Sequence, residues 1–370
     1  MFFLSIIVLS TFIFLGLYKP KSRFVTGGLV ILLYIIFAFE HSDADYEGYI
    51  EMFEQITGGA GSATEYEVLY VYLTSLASKF GYTFDQMRGV LSILEVYFIY
   101  HTISKYTKRT AFVFALFMVF PALIDAELFR FLFGMTLVIY GIPYLFDNGR
   151  IGKIIYLVLV IFAALFHTSC WLFLVYFLLL VKDRKQLIII VSLVLVVGLF
   201  ISSSGAFFNL LEYLPIREFV IEKYRTGHYS NMTGVMFAFV KQVLIFAMVL
   251  WVIGEKKRNA TEWQPPTNKQ NNAEILNSRI VDMNIISFLF LIPMYYSSSS
   301  QRLVHVIVLF NYIAIANGYL RNKLKSYVLE GFAVSVLLLL SILFVEGTGT
   351  QYIFKSHFTE GFLINLFKSI

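Results

Sequence analysis

Cysteine is almost missing from this sequence. Cys170 stands alone, so no internal disulfide can form, and no ligand spacing for zinc occurs. It lies inside an apolar run and reads as a packing residue. Charge is scarce too: 14% of the 370 residues are charged, against about 25% in a soluble domain, so water cannot be the main solvent. There is no Walker loop, no glycine-rich dinucleotide turn and no HExxH, which leaves nucleotide-driven and zincin chemistry unsupported. Seven prolines and no internal repeat argue against the broken, symmetry-related helices of secondary transporters. What is present in quantity is apolar surface. Hydrophobic residues make up 58%, mean hydropathy is +0.74, and 39 Phe and 24 Tyr suit packing against lipid and its interfaces.

Apolar runs long enough to approach a 30 Å hydrocarbon layer recur along the chain. They are Phe2–Leu17, Phe24–Phe39, Asp85–Ser104, Thr110–Ile124, Phe129–Phe146 and Lys153–Phe166, then Ser169–Val181, Gln186–Ser203, Val235–Ile253, Met283–Tyr296, Leu303–Leu320 and Ser326–Val345. The expected fold is therefore an all-α polytopic membrane protein with about 12 (10–14) transmembrane helices, in one integral domain over residues 1–370. The first run precedes Lys19, Lys21 and Arg23, the reverse of a signal peptide, and is expected to stay as a span. Placing Met1 outside puts 19 of the 29 Lys and Arg residues in cytoplasmic connections, including Lys105–Arg109, Lys182–Lys185 and Arg321–Lys325. Residues 254–282, with Pro265-Pro266 and an Asn/Gln run, then read as a flexible cytoplasmic linker.

The expected outer face differs in character. Residues 40–84 form an acidic loop, with eight acids and no Lys or Arg between Glu40 and Glu67. Within it Tyr66–Phe80 reads as an interfacial or re-entrant helix. A second outer loop, residues 204–234, mixes Arg217, Tyr224, Arg225 and His228 with acids. Ionisable groups at membrane depth are costly and invite a functional reading. Arg130 follows Asp125 and Glu127; it either pairs with Glu127 on one helix face or offers its fork of donors to a diphosphate. Arg302, after Ser297–Gln301, either snorkels to the headgroups or joins Arg130. His167, in Phe166-His167-Thr168-Ser169, lies between two runs that are each short for a span. That would place it in a cavity below the outer surface, as a hydrogen-bonding residue or a base. Lys241 either neutralises a buried carboxylate such as Glu95 or meets a substrate anion. Asp45-Tyr46-Glu47-Gly48-Tyr49 sets a carboxylate beside rings that suit sugar faces, or forms the first turn of a helix.

In order, these elements resemble the EpsG family, a branch of the Wzy-type polysaccharide polymerases. Asp45 to Tyr49 looks like its D-[YF]-x-x-Y, and Thr64-Glu65-Tyr66-Glu67-Val68-Leu69 its [DE]-P-G-[FY] segment. Arg130 is similar to a mid-chain arginine, Phe166 to Ser169 to its F-H-x-S, Tyr224 to Tyr229 to a Tyr-rich outer loop, and Arg302 to an arginine opening a late span. The chain departs at Glu127, where the family usually has Asn, and at Tyr66-Glu67, where it has Pro-Gly.

The resemblance implies a GT-C-like architecture and a multi-pass protein of the bacterial cytoplasmic membrane with an outward-facing site. Its implied reaction joins undecaprenyl-diphosphate-linked repeat units into O-antigen, capsule or exopolysaccharide, with no cofactor, metal or nucleic acid. A flippase and a chain-length regulator are expected partners besides the bilayer. The implied catalytic residues are Arg130, Arg302, His167 and Asp45, and the substrate-binding ones Glu65, Tyr49, Arg217, Tyr224, Arg225 and Lys241. The alternatives are a flippase or other transporter of the same lipid-linked unit, a membrane O-acyltransferase and a ligase.

Overall fold

The computed structural model describes residues 2–39, 44–58, 66–146, 149–203, 232–259 and 272–318. Among them the chain is helical and contains no strand. The first half comprises α1 (Phe2–Tyr18), α2 (Arg23–Ala38), α3 (Ala44–Thr57), α4 (Val68–Lys79), α5 (Phe84–Tyr106), α6 (Thr110–Val119) and α7 (Ala122–Ala126). It is followed by α8 (Phe129–Gly141), α9 (Arg150–Phe166), α10 (Arg184–Ser203), α11 (Met232–Asn259), α12 (Asn272–Ser287), α13 (Leu291–Met294) and α14 (His305–Asn317). Short 3-10 segments flank several of these. Two longer ones, Thr168–Leu180 and Ser298–Val304, carry residues of the site described below.

Helices α6 and α14 form the centre. Every residue from Ala111 to Met118 and from His305 to Ala316 is buried, which fits helices that are apolar on all sides. Helix α8 lies between α5 and α9 and is buried along most of its length. At the periphery α10 turns Ile189, Leu193 and Phe200 outward, each more than 60% exposed. Such a continuous apolar face needs a non-aqueous cover. By length and composition two helices suffice to cross a membrane, Arg184–Ser202 and Asn272–Met294, and several apolar helices of 10–17 residues accompany them.

Each expected span up to Leu303–Leu320 falls on helical structure as far as the described residues reach, which is Gly318, while Ser326–Val345 lies outside them. Three boundaries differ for physical reasons. Thr110–Ile124 is two helices, interrupted at Phe120-Pro121, where proline has no N–H to continue the ladder. Met283–Tyr296 is the end of a helix that starts at Asn272. Its polar first half is held by Arg184, whose Nε donates to Asp282 Oδ1 at 2.6 Å. The expected linker at 254–282 is helix at both ends: α11 runs to Asn259, α12 resumes at Asn272, and 260–271 lie outside the described residues.

Thr168–Leu180 is a 13-residue 3-10 helix. With three residues per turn, side chains three apart are eclipsed, and its buried residues are Cys170, Phe173, Tyr176 and Leu179. At roughly 2 Å per residue it reaches about 26 Å, so a run too short for an α-helical span covers most of that thickness. Tyr156 of α9 donates its hydroxyl to the Phe173 carbonyl at 2.6 Å, tying the two elements together.

Candidate active site

Arg130 is the second residue of α8. Its Nη1 donates to Glu67 Oε2 at 2.7 Å, and its guanidinium lies over the rings of Tyr70 (5.2 Å) and Tyr49 (5.9 Å). Its Nε is buried with no acceptor among the described residues. The expected pairing along one helix face with Glu127 is not what forms. Helix α8 begins two residues after Glu127, and the ion pair of Arg130 spans 63 positions to Glu67 instead.

Glu67 is the residue that sequence reasoning passed over in favour of Glu65. It stands at the N-cap of α4 but caps nothing there. Its second oxygen, Oε1, accepts from the Thr168 amide at 3.1 Å and from the Thr168 hydroxyl at 3.0 Å. Burial would raise its pKa, but Arg130 and the Thr168 N–H outweigh burial and hold the carboxyl below its ordinary value. A signal was present: Glu67 is the last acid before an apolar run, where a carboxylate is carried out of water with that run.

His167 ends α9 and opens the Thr168–Leu180 helix, so it sits in the connection between them. Its Nδ1 is 2.7 Å from Ser169 Oγ, and its ring meets Phe131 edge-on at 5.6 Å. Burial first, then the positive charge of Arg130 and Arg302 against the opposing Glu67, pushes the imidazole down to about 4. It is therefore neutral at pH 7.

Arg302 belongs to the Ser298–Val304 segment, and its carbonyl accepts from the His305 amide. His305 Nδ1 lies 2.5 Å from Asp125 Oδ1 with both side chains fully buried. This contact joins the start of α14 to α7, the helix just before α8. Lys241 is buried over Phe120 (5.2 Å), with Nζ 3.4 Å from Gln301 Oε1. The carboxylate it senses is Asp125. Glu95, the partner suggested by sequence, interacts with Arg88 instead. Arg88 itself, buried on α5, donates to the carbonyls of Phe37 and Ala126 at 2.8 Å each, holding the ends of α2 and α7 together.

These pieces surround one cavity of about 230 Å³. Asp45, Tyr49, Arg130, Phe131, His167 and Arg302 are among its walls. Tyr49 is stacked on Phe84 and edge-on to Phe129, while Asp45 is exposed in the first turn of α3. Lys241 is not part of the wall. Glu65, Arg217, Tyr224 and Arg225 lie outside the described residues. Among the described residues no group of three His, Cys, Asp or Glu side chains is placed to hold a metal ion. The cavity thus offers two guanidiniums for an anion and two proton acceptors, Asp45 and His167, beside aromatic rings.

The model of the EpsG family matches residues 24–356, a stretch that takes in every wall of this cavity. No curated protein and no solved structure matches the chain. With its apolar helices and a match over most of its length, the chain is a helical membrane protein and belongs to the EpsG family.

Proposed function

We propose that this protein is a glycosyltransferase that polymerises lipid-diphosphate-linked sugar units into a surface polysaccharide. Membership of the EpsG family ties it to polysaccharide biosynthesis of the polymerase type. The observation that carries the finer reading is the meeting of Arg130, Arg302, His167 and Asp45 around one cavity. Asp45, His167 and Arg302 come from the connections after the second, sixth and tenth expected spans, and Arg130 opens the fifth span, beside the connection after the fourth. All four connections fall on the same side in the orientation set by the basic loops, which supports an outward-facing site.

In this reading the anomeric carbon of the donor sugar leaves its lipid diphosphate and bonds to a hydroxyl oxygen of the acceptor unit. Negative charge grows on the departing diphosphate, and Arg130 and Arg302 stabilise it. The Nε of Arg130, without an acceptor among the described residues, is a donor that such an anion would satisfy. The hydroxyl proton passes to Asp45 or to the neutral His167. Tyr49, at the cavity wall, is a further candidate for substrate contact. Glu65, Arg217, Tyr224, Arg225 and Lys241 remain candidates for substrate contacts within the same proposal.

The test is the chain length of glycan made by the producing strain. Deleting the gene should leave single repeat units at the surface, and Arg130→Ala or Arg302→Ala, at normal membrane abundance, should do the same. Long chains from both variants would end the diphosphate reading. Loss of single units as well would favour a flippase.

A further inference from the structure

We propose that Glu67 is a positioning residue, which sets Arg130 and the His167 connection in register across the cavity without touching substrate. The inference rests on the reading of Arg130 as the diphosphate ligand and deepens it.

Three features carry it. Glu67 divides its two oxygens between two different elements: Oε2 takes Arg130 of α8, and Oε1 takes both the amide and the hydroxyl of Thr168, the residue after His167. A carboxylate that takes three donors from two separate parts of the chain fixes their relative placement, because one part loses its partner if the other moves. Next, Glu67 is absent from the cavity wall, whereas Arg130 and His167 are both on it. It stands one layer back from any ligand. Lastly, the ion pair leaves much of the guanidinium uncommitted. Nη1 is held while Nε has no acceptor among the described residues, so one edge of the fork is anchored and another is left for an anion. Side-chain exposure of 16% for Arg130 and 18% for Glu67 means that water does little to replace the contact when it is broken.

A positioning role differs from a role in folding in what it predicts for combinations. Glu67→Gln keeps the size and one acceptor but not the charge, Glu67→Asp keeps the charge one methylene short, and Glu67→Ala removes both. In the producing strain, polymer normalised to the amount of protein in the membrane should fall at least tenfold in Glu67→Ala and Glu67→Gln. Glu67→Asp should recover part of the loss. Because Glu67 acts through Arg130, the pair Glu67→Ala/Arg130→Ala should be no worse than Arg130→Ala alone, while Glu67→Ala/Asp45→Asn should be worse than either single change.

Three results would overturn the proposal: polymer within twofold of wild type in Glu67→Ala, a loss explained by equal loss of protein from the membrane, or full multiplication of the Glu67 and Arg130 effects. Failure of the polymerase reading is seen separately, in the deletion strain, as loss of exported units. The coupling of Glu67 to Arg130 is then measured on that product instead.

Discussion

Gly134 and Cys170 set how closely the two elements that carry Arg130 and His167 approach. Gly134 is one helical turn beyond Arg130, and Cys170 is one 3-10 turn beyond His167, so this contact lies directly below the site. A Cβ on Gly134 would stand 2.6 Å from Cys170 Sγ and 3.1 Å from the Ala163 carbonyl oxygen. The carbonyl is backbone of α9 and the sulfur is buried, so Gly134→Ala must separate α8 from the Thr168–Leu180 helix by roughly 1 Å and from α9 by a few tenths of an ångström. Overpacking of this kind costs about 1–3 kcal/mol, offset by up to about 1 kcal/mol of helix propensity gained by alanine. The net loss should be about 1–2 kcal/mol, visible as a lower midpoint in thermal melts of purified protein in detergent. Cys170→Ala removes the sulfur that collides. In that background only the milder approach to the Ala163 carbonyl is left, so Gly134→Ala should cost less, giving a favourable coupling of about 1 kcal/mol in the double-mutant cycle. Polymer output should follow the same pattern, since a shift of about 1 Å between reacting groups lowers rate strongly. Additive melting shifts, or Gly134→Ala at the wild-type midpoint, would refute the argument.

Three further outcomes follow from the same structure. Asp125→Ala strips the fully buried His305 of its partner, and loss of about 3 kcal/mol is expected in the same melts; a shift below about 0.5 kcal/mol would mean the pair is not structural. Tyr156→Phe removes the hydroxyl donated to Phe173 O and should cost about 1 kcal/mol, with the buried carbonyl left unsatisfied. Stability should also decline on the acid side. The imidazole of His167, ordinarily near 6.5 and held here at about 4, is protonated more readily in the unfolded chain, so stability falls as pH drops from about 6.5 to about 4. Glu67, depressed below its ordinary value, adds a loss in the same direction as pH falls through its folded pKa. His167→Gln should flatten the first part of that decline, and an unchanged profile would show that the imidazole is not the group responsible.

Much of this was legible in the residues because lipid-facing chains obey few rules. Apolar runs and basic connections located the helices closely: α2 and α9 begin and end within three residues of their expected limits. Polar residues at helix ends pointed to Arg130, His167 and Arg302. What the residues hid has two causes. One is pairing across long separations. Asp125 meets His305 180 positions away and Glu67 meets Arg130 63 positions away, and neither spacing has a local period. The other is satisfied polarity. Asp282 looked like the inside of a loop until Arg184 paired with it, and Arg88, to which the residues gave no role, holds two carbonyls.

Both causes point the same way about how such a site is built. Helix ends leave N–H and carbonyl groups without partners, and in an apolar surrounding those groups must be met by side chains. Phe120 O is met by Tyr312, Ala126 O by Arg88, and the Thr168 N–H by Glu67. The polar residues needed to close these ends therefore gather where the helices stop. Here the first turns of α3, the break between α7 and α8, the break between α9 and the Thr168–Leu180 helix, and the segment before α14 converge on one cavity. Residues that satisfy backbone and residues that face the cavity then become neighbours, as Glu67 and Arg130 do. A substitution at such a closing residue should consequently alter the site before it unfolds the helices. That order of events, read as polymer lost at normal membrane abundance, separates this account from one in which the buried polar groups serve folding alone.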